Sequence, residues 1–195
     1  MNTNTNIIAL SLIVFLLINP ISKYLVGKSG KQINNYKLPD IFHSDKFNLK
    51  PISFFNEIII VSLIIQFIYY ISIEKIPYND VILFIKYFTI LLLIKIILMN
   101  VTILPDPSKR CKNGTNIFTI LFMGGCNDLI FSLHMTIVLL ILHFLKKNKL
   151  ITEKYAMIYS LLQAFFIIFT HNHYTIDVIL AFIITSFVIN GNYHI

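Results

Sequence analysis

"THNHYTIDVILAF", Thr170 to Phe182, puts two histidines, an aspartate and hydroxyl side chains at the mouth of an apolar segment that continues to Ile189. An aspartate costs roughly 2.5 to 3.5 kcal/mol at a bilayer centre and less toward the interface. A carboxylate one turn inside such a segment therefore needs a partner or a task. On a helix rising about 1.5 Å per residue, His173 and Asp177 stand roughly 6 Å apart along one stripe, because positions i and i+4 share a face. The carboxylate can accept one imidazole N–H, fix the tautomer, leave the other nitrogen's lone pair available and stabilise positive charge on the ring.

The rest of the chain supplies the apolar setting. Of 195 residues, 56% are hydrophobic and 13% charged, and the mean hydropathy is +0.76; soluble domains carry about 25% charged residues. Apolar runs lie at Ile7–Ile21, Ile52–Ile73, Val81–Leu104, Leu129–Leu145, Tyr155–Thr170 and Tyr174–Ile189, each close to the length that about 30 Å of hydrocarbon asks of a helix. The expected fold is an all-α integral membrane protein, a six-transmembrane-helix bundle forming one domain over residues 1–195. "MNTNTN" lacks the positive n-region of a secretory signal, and no small-residue cleavage site follows, so the first run is expected to be an uncleaved helix. The longest connection is the polar stretch from Ser22 to Lys50. A net charge of +7 suits anionic headgroups, although the Lys, Asn and Ile richness also looks like codon bias; nucleic acid is not an expected partner. Cys111 and Cys126 lie between the third and fourth runs and are either one disulfide in an oxidising lumen or two free thiols.

Six spans give the second, fourth and sixth a common polarity, so the loops before the fourth and the sixth open on one face of the membrane. His134 then lies about a turn into span four, and Asp177 about a turn into span six, from the same side. The parity brings His134, His173 and Asp177 to one depth. His143, His43 and His194 are read as ordinary interfacial histidines and Lys86 as a snorkelling lysine.

Four elements carry a family resemblance. "KLPDIF" (Lys37–Phe42) is similar to a Pro-Leu-Pro-Asp element after span one, and "KIILMNVTILPDP" (Lys95–Pro107), followed by Cys111, is similar to an Arg, Met, Val-Thr, Leu-Pro-x-Pro element ending in cysteine. "CNDLIFSLHMT" (Cys126–Thr136) resembles Cys-Gly-Asp…Ser-Gly-His-Thr, and "HNHYTIDV" (His171–Val178) resembles His-Asp-His-Tyr-Thr-Val-Asp-Val closely. Together they resemble the sphingomyelin synthases and their relatives within the type 2 phosphatidic acid phosphatase superfamily.

The resemblance implies a two-step headgroup transfer with His134, His173 and Asp177 catalytic. His173 attacks phosphorus and releases diacylglycerol; a ceramide or diacylglycerol hydroxyl then takes the phosphocholine or phosphoethanolamine from the histidine. His134 serves as acid and then as base. Lys95, Asp128, Ser132 and Tyr174 are the candidate substrate-binding residues; no separate cofactor and no metal are expected, because the carboxylates are isolated. Among the departures from the family pattern, Leu133 and Asn127 replace glycines, and Lys95 replaces an arginine, keeping charge without the bidentate fork.

Two other readings use the same residues. With water as acceptor the histidines make a lipid phosphate phosphatase, but the Lys-x6-Arg-Pro element of that branch, and its arginine upstream of the last histidine, are not found. A non-catalytic lipid-binding protein on an enzyme scaffold draws its support from Leu133 and Asn127. For topology, Lys23, Lys28, Lys31, Lys37, Lys46 and Lys50 vote for a cytoplasmic first loop, whereas Lys146, Lys147, Lys149 and Lys154 place the loop between spans four and five there. The resemblance places the site on the luminal or extracellular face, where the sequon Asn113-Gly114-Thr115 would also lie.

Overall fold

The computed structural model describes residues 3–30, 38–40, 42, 53–105 and 129–191. Among these, all regular structure is helical. Helix α1 (Thr3–Ile13) runs through one π-helical turn (Val14–Ile18) into α2 (Asn19–Gly30); then follow α3 (Phe54–Ser72), α4 (Tyr78–Val101), α5 (Leu133–Lys147), α6 (Glu153–Phe169) and α7 (Thr175–Asn190). Each expected apolar run coincides with a helix. Among the described residues, three helical stretches, Asn4–Val26, Phe54–Ser72 and Tyr78–Val101, are long and apolar enough to cross a membrane, and Thr175–Asn190 is a shorter apolar helix.

Two boundaries differ from the sequence reading. The first helix does not stop at Ile21 but continues to Gly30, taking in part of the expected polar loop; Ser22 and Lys23 are each 5% exposed. Asn100 of α4 donates to the Ser22 hydroxyl, and Ser11 shares a hydrogen bond of 2.6 Å with Thr89, so the polar side chains of this helix face α4. The π turn precedes Pro20, which has no N–H and whose ring crowds the carbonyl four residues back. There the Asn19 N–H bonds to the Val14 carbonyl, five residues back. The fourth run starts its helix at Leu133 rather than Leu129, because Ser132 is extended and caps α5, its hydroxyl accepting from the Met135 N–H at 3.4 Å.

Helix α5 is the hub. It packs against α3, α4, α6 and α7, and Val138, Leu140, Ile141, Leu142, Phe144 and Leu145 are all buried, the mark of a helix enclosed on every side. Lipid tails are as apolar as leucine, so this core gains by close packing and by hydrogen bonds between helices, each worth about 0.6 to 2 kcal/mol, more than by excluding water. At the end remote from His134, Lys147 donates to Asp80 at 2.6 Å and Asn148 to the same carboxylate at 2.9 Å, tying the start of α4 to the end of α5.

Three helices end alike. Glu74, Lys149 and His171 have φ of 57°, and each lies just past a helix whose last carbonyls are taken up by the two following N–H groups, as in Lys149 to Lys146 and Leu150 to Leu145. For His171 the bonds are its own N–H to Ile168 and the Asn172 N–H to Ile167. This compact reversal makes the connection from α6 to α7 only a few residues long, and His173 sits inside it.

Candidate active site

Three chain segments converge on the start of α7. Tyr174 caps the helix, and its N–H donates to Asp177 Oδ2 at 2.9 Å. The Tyr174 hydroxyl donates to the Pro105 carbonyl at 2.9 Å, which anchors the Ile103–Pro105 stretch after α4. Asp40 of "KLPD" accepts the Thr175 N–H at 2.7 Å and the Thr175 hydroxyl at 2.8 Å. The first turn of α7 thus receives two carboxylates, Asp40 and Asp177, which satisfy its otherwise unpaired N–H groups and suit the positive end of the helix dipole.

His173 is held at Nδ1. Its Nδ1 lies 3.2 Å from the Leu129 carbonyl and 3.5 Å from Asp177 Oδ2. Both neighbours are acceptors, so the proton belongs on Nδ1 and the neutral ring presents its lone pair at Nε2. Burial sharpens this, for His173 is 8% exposed at the side chain and Asp177 is fully buried. The i to i+4 pairing expected from the sequence is present, and a backbone carbonyl shares its work.

His134, the second residue of α5, faces His173 with ring centroids 6.1 Å apart and the planes nearly perpendicular. Its Nε2 lies 3.5 Å from Glu57 Oε1 in the first turn of α3. Both side chains are open, 38% exposed for His134 and 61% for Glu57. Each histidine therefore has a carboxylate, one buried and from its own helix, the other exposed and from a different helix.

The remaining candidates among the described residues are all buried. Lys95 does not reach an interface: it is 1% exposed, and its ammonium donates to the Phe131 carbonyl at 2.7 Å. The Ser132 N–H contacts the Asp177 carbonyl at 3.4 Å, so the strap Leu129–Ser132 is tied to α4 by Lys95, to His173 by Leu129 and to α7 by Ser132. Ser132 itself is fully buried, occupied as a helix cap. Tyr174, 3% exposed, is a brace between α7 and Pro105. Leu133, where the family pattern has glycine, is the first residue of α5 and packs on the cluster of Leu92, Ile96 and Met99 with Val14 and Val26. That position has ordinary helical geometry, so glycine's conformational freedom is not needed there. Asp128, Asn127, Cys111, Cys126, His43, His194 and the Asn113 sequon lie outside the described residues.

The sequence reading missed Glu57, Asp40 and the Leu129 carbonyl. Glu57 did carry a signal, being a charged residue one turn into an apolar run on the side of the membrane assigned to the site.

Comparison with known proteins agrees with the motifs. Residues 125–195 match the family described as PAP2 superfamily C-terminal. The chain is 28% identical, over 114 aligned residues, to the phosphatidylinositol:ceramide inositolphosphotransferase of Oryza sativa subsp. indica and to that of subsp. japonica; the match takes in 49% of this chain and 35% of each relative. It is 26% identical over 113 residues to phosphatidylinositol:ceramide inositolphosphotransferase 2 of Arabidopsis thaliana, covering 49% of this chain and 37% of that one. The match thus spans about a third of the length of these plant relatives.

Proposed function

We propose that the chain is a membrane-embedded lipid phosphotransferase that moves a phosphorylated headgroup from a glycerophospholipid to the hydroxyl of ceramide or diacylglycerol through a phosphohistidine on His173. The observation that carries this reading is the pair of acceptors on His173 Nδ1, which leaves Nε2 as a nucleophile one ring away from a second histidine. In the first step Nε2 bonds to phosphorus, the bond from phosphorus to the glycerol oxygen breaks, and His134 gives that oxygen a proton. In the second step the acceptor hydroxyl loses its proton to His134, its oxygen bonds to phosphorus, and the phosphorus–nitrogen bond breaks. Asp177 balances the charge on His173 in both steps, and Glu57 orients His134 and holds its proton. Lys95 works at one remove, holding the Phe131 carbonyl and with it the strap that offers Leu129 to His173.

Six helices crossing the bilayer, with the site one turn below its luminal or extracellular face, would set the reacting groups at headgroup depth, where two dissolved lipids present theirs. Phosphocholine and phosphoethanolamine are the headgroups implied by the motif resemblance; the names of the plant relatives add inositol phosphate. Purified protein given ceramide and phosphatidylcholine, phosphatidylethanolamine or phosphatidylinositol, each labelled in the headgroup, should form labelled phosphosphingolipid from at least one donor. Release of free headgroup phosphate with no ceramide product, at saturating ceramide, would move the assignment to phosphatase.

A further inference from the structure

Among the described residues, a pair of interior amides in contact with each other keeps polar atoms that no described group satisfies. Asn56, the third residue of α3, and Gln163, midway along α6, are both fully buried, and Gln163 Nε2 donates to Asn56 Oδ1. That single bond leaves the Asn56 amide nitrogen, a donor, and the Gln163 oxygen, an acceptor, without partners. Exchanging oxygen and nitrogen in both amides reverses the bond and still leaves one of each over. Unmet polar atoms in a low-dielectric interior are costly, and two leucines would join α3 to α6 without them.

Their position suggests what meets them. Asn56 immediately precedes Glu57, the carboxylate beside His134. The seam between α3 and α6 is covered by aromatic rings, Phe55 stacking on Phe166 at 5.7 Å and Phe54 on Phe55 at 4.3 Å. Phe54 and Phe55 are 52% and 40% exposed, so the outer side of the seam is open to the bilayer, and the buried amide pair joins the same two helices.

We propose that this seam admits the acceptor lipid and that Asn56 and Gln163 select an N-acylated acceptor by its amide. The amide N–H would donate to Gln163 Oε1, and an oxygen of the same lipid would accept from Asn56 Nδ2. An N-acyl sphingoid lipid carries that donor and acceptor a few bonds from its reacting hydroxyl. A diacylglycerol offers ester acceptors, but its one donor is the hydroxyl consumed in the reaction, so Gln163 stays unmet. Sites that hydrogen-bond a ligand group reject analogues lacking it far more strongly than apolar pockets reject a missing methylene.

The proposal rests on the transferase reading, and its test separates the two. Ceramide, N-methylated ceramide and diacylglycerol are compared as acceptors for one labelled donor, using wild type, Gln163→Leu and the double variant Asn56→Leu with Gln163→Leu, which leaves no half-paired amide. Wild type should lose about tenfold in kcat/KM from ceramide to N-methylated ceramide. Gln163→Leu should fall to that lower level on ceramide and keep its rate on diacylglycerol, whereas the double variant, which also loses the Asn56 donor, should fall further on ceramide than on diacylglycerol. Equal use of the two ceramides by wild type, or equal loss on ceramide and diacylglycerol in both variants, overturns it. Binding is read apart from turnover with photoactivatable ceramide on the His173→Ala protein. Crosslinks within α3 and α6 that Gln163→Leu removes would support the subsite even if no transfer occurred, whereas crosslinks confined to other helices would overturn it.

Discussion

Asp177 and Glu57 hold their histidines in opposite surroundings, and the difference sets how much each should matter. Asp177 is fully buried and serves both His173 and the Tyr174 N–H; Glu57 is 61% exposed at 3.5 Å from His134, where water screens it. Asp177→Asn can still accept the Tyr174 N–H but cannot balance a cationic His173. Steady-state kinetics should show kcat reduced about 10³-fold or more by Asp177→Asn and about tenfold or less by Glu57→Gln. Equal losses would mean that the two carboxylates have been assigned the wrong weights. At this scale the sequence was informative where both partners lie within one helical turn, as for His173 and Asp177. It was silent on Leu129, whose contribution is a backbone carbonyl with no side-chain letter to mark it. It was nearly silent on Glu57, since a contact between distant helices leaves no periodicity.

Helix α7 begins where it does because several segments complete its first turn, and Asp40 is the most remote of them. The apolar run from Tyr174 predicts the helix, whereas nothing in the spacing of "KLPD" says that its aspartate caps a helix 135 residues later. Asp40→Ala removes the acceptor for both the Thr175 N–H and its hydroxyl, and should destabilise the protein by about 1 kcal/mol, within a range of roughly 0.5 to 2. Asp40→Asn should recover part of that, since it keeps an acceptor and loses only the charge. Thermal unfolding in detergent checks both; an unchanged midpoint for Asp40→Ala would make the contact incidental. Elsewhere the elements departed from the pattern for local reasons. Apolar character alone carried the fourth run back to Leu129, but the Ser132 cap begins the helix at Leu133. The first helix outran its apolar stretch because α4 offers polar partners to Ser11 and Ser22, which composition cannot reveal.

At the scale of the whole molecule, His134 and His173 meet as the sequence reading expected, and the contact between Asp40 and Thr175 brings Asp40 to the same end. If the chain crosses the membrane six times, Leu38 and Lys149, both exposed, lie on opposite sides. In a background with Cys111→Ser and Cys126→Ser, Leu38→Cys and Lys149→Cys should then react with an impermeant thiol reagent from opposite faces of sealed vesicles; reaction from the same face would refute the span count. The central claim, that His173 carries the headgroup covalently, is tested most directly by mass spectrometry of the His134→Ala protein after reaction with a nitrophenyl phosphodiester donor, quenched under alkaline conditions. A good leaving group needs no acid in the first step, while loss of the base slows discharge by about 10² to 10⁴, so a headgroup phosphoryl adduct should accumulate on His173. An adduct on His134 of the wild-type protein, or full turnover by His173→Ala, would contradict the account.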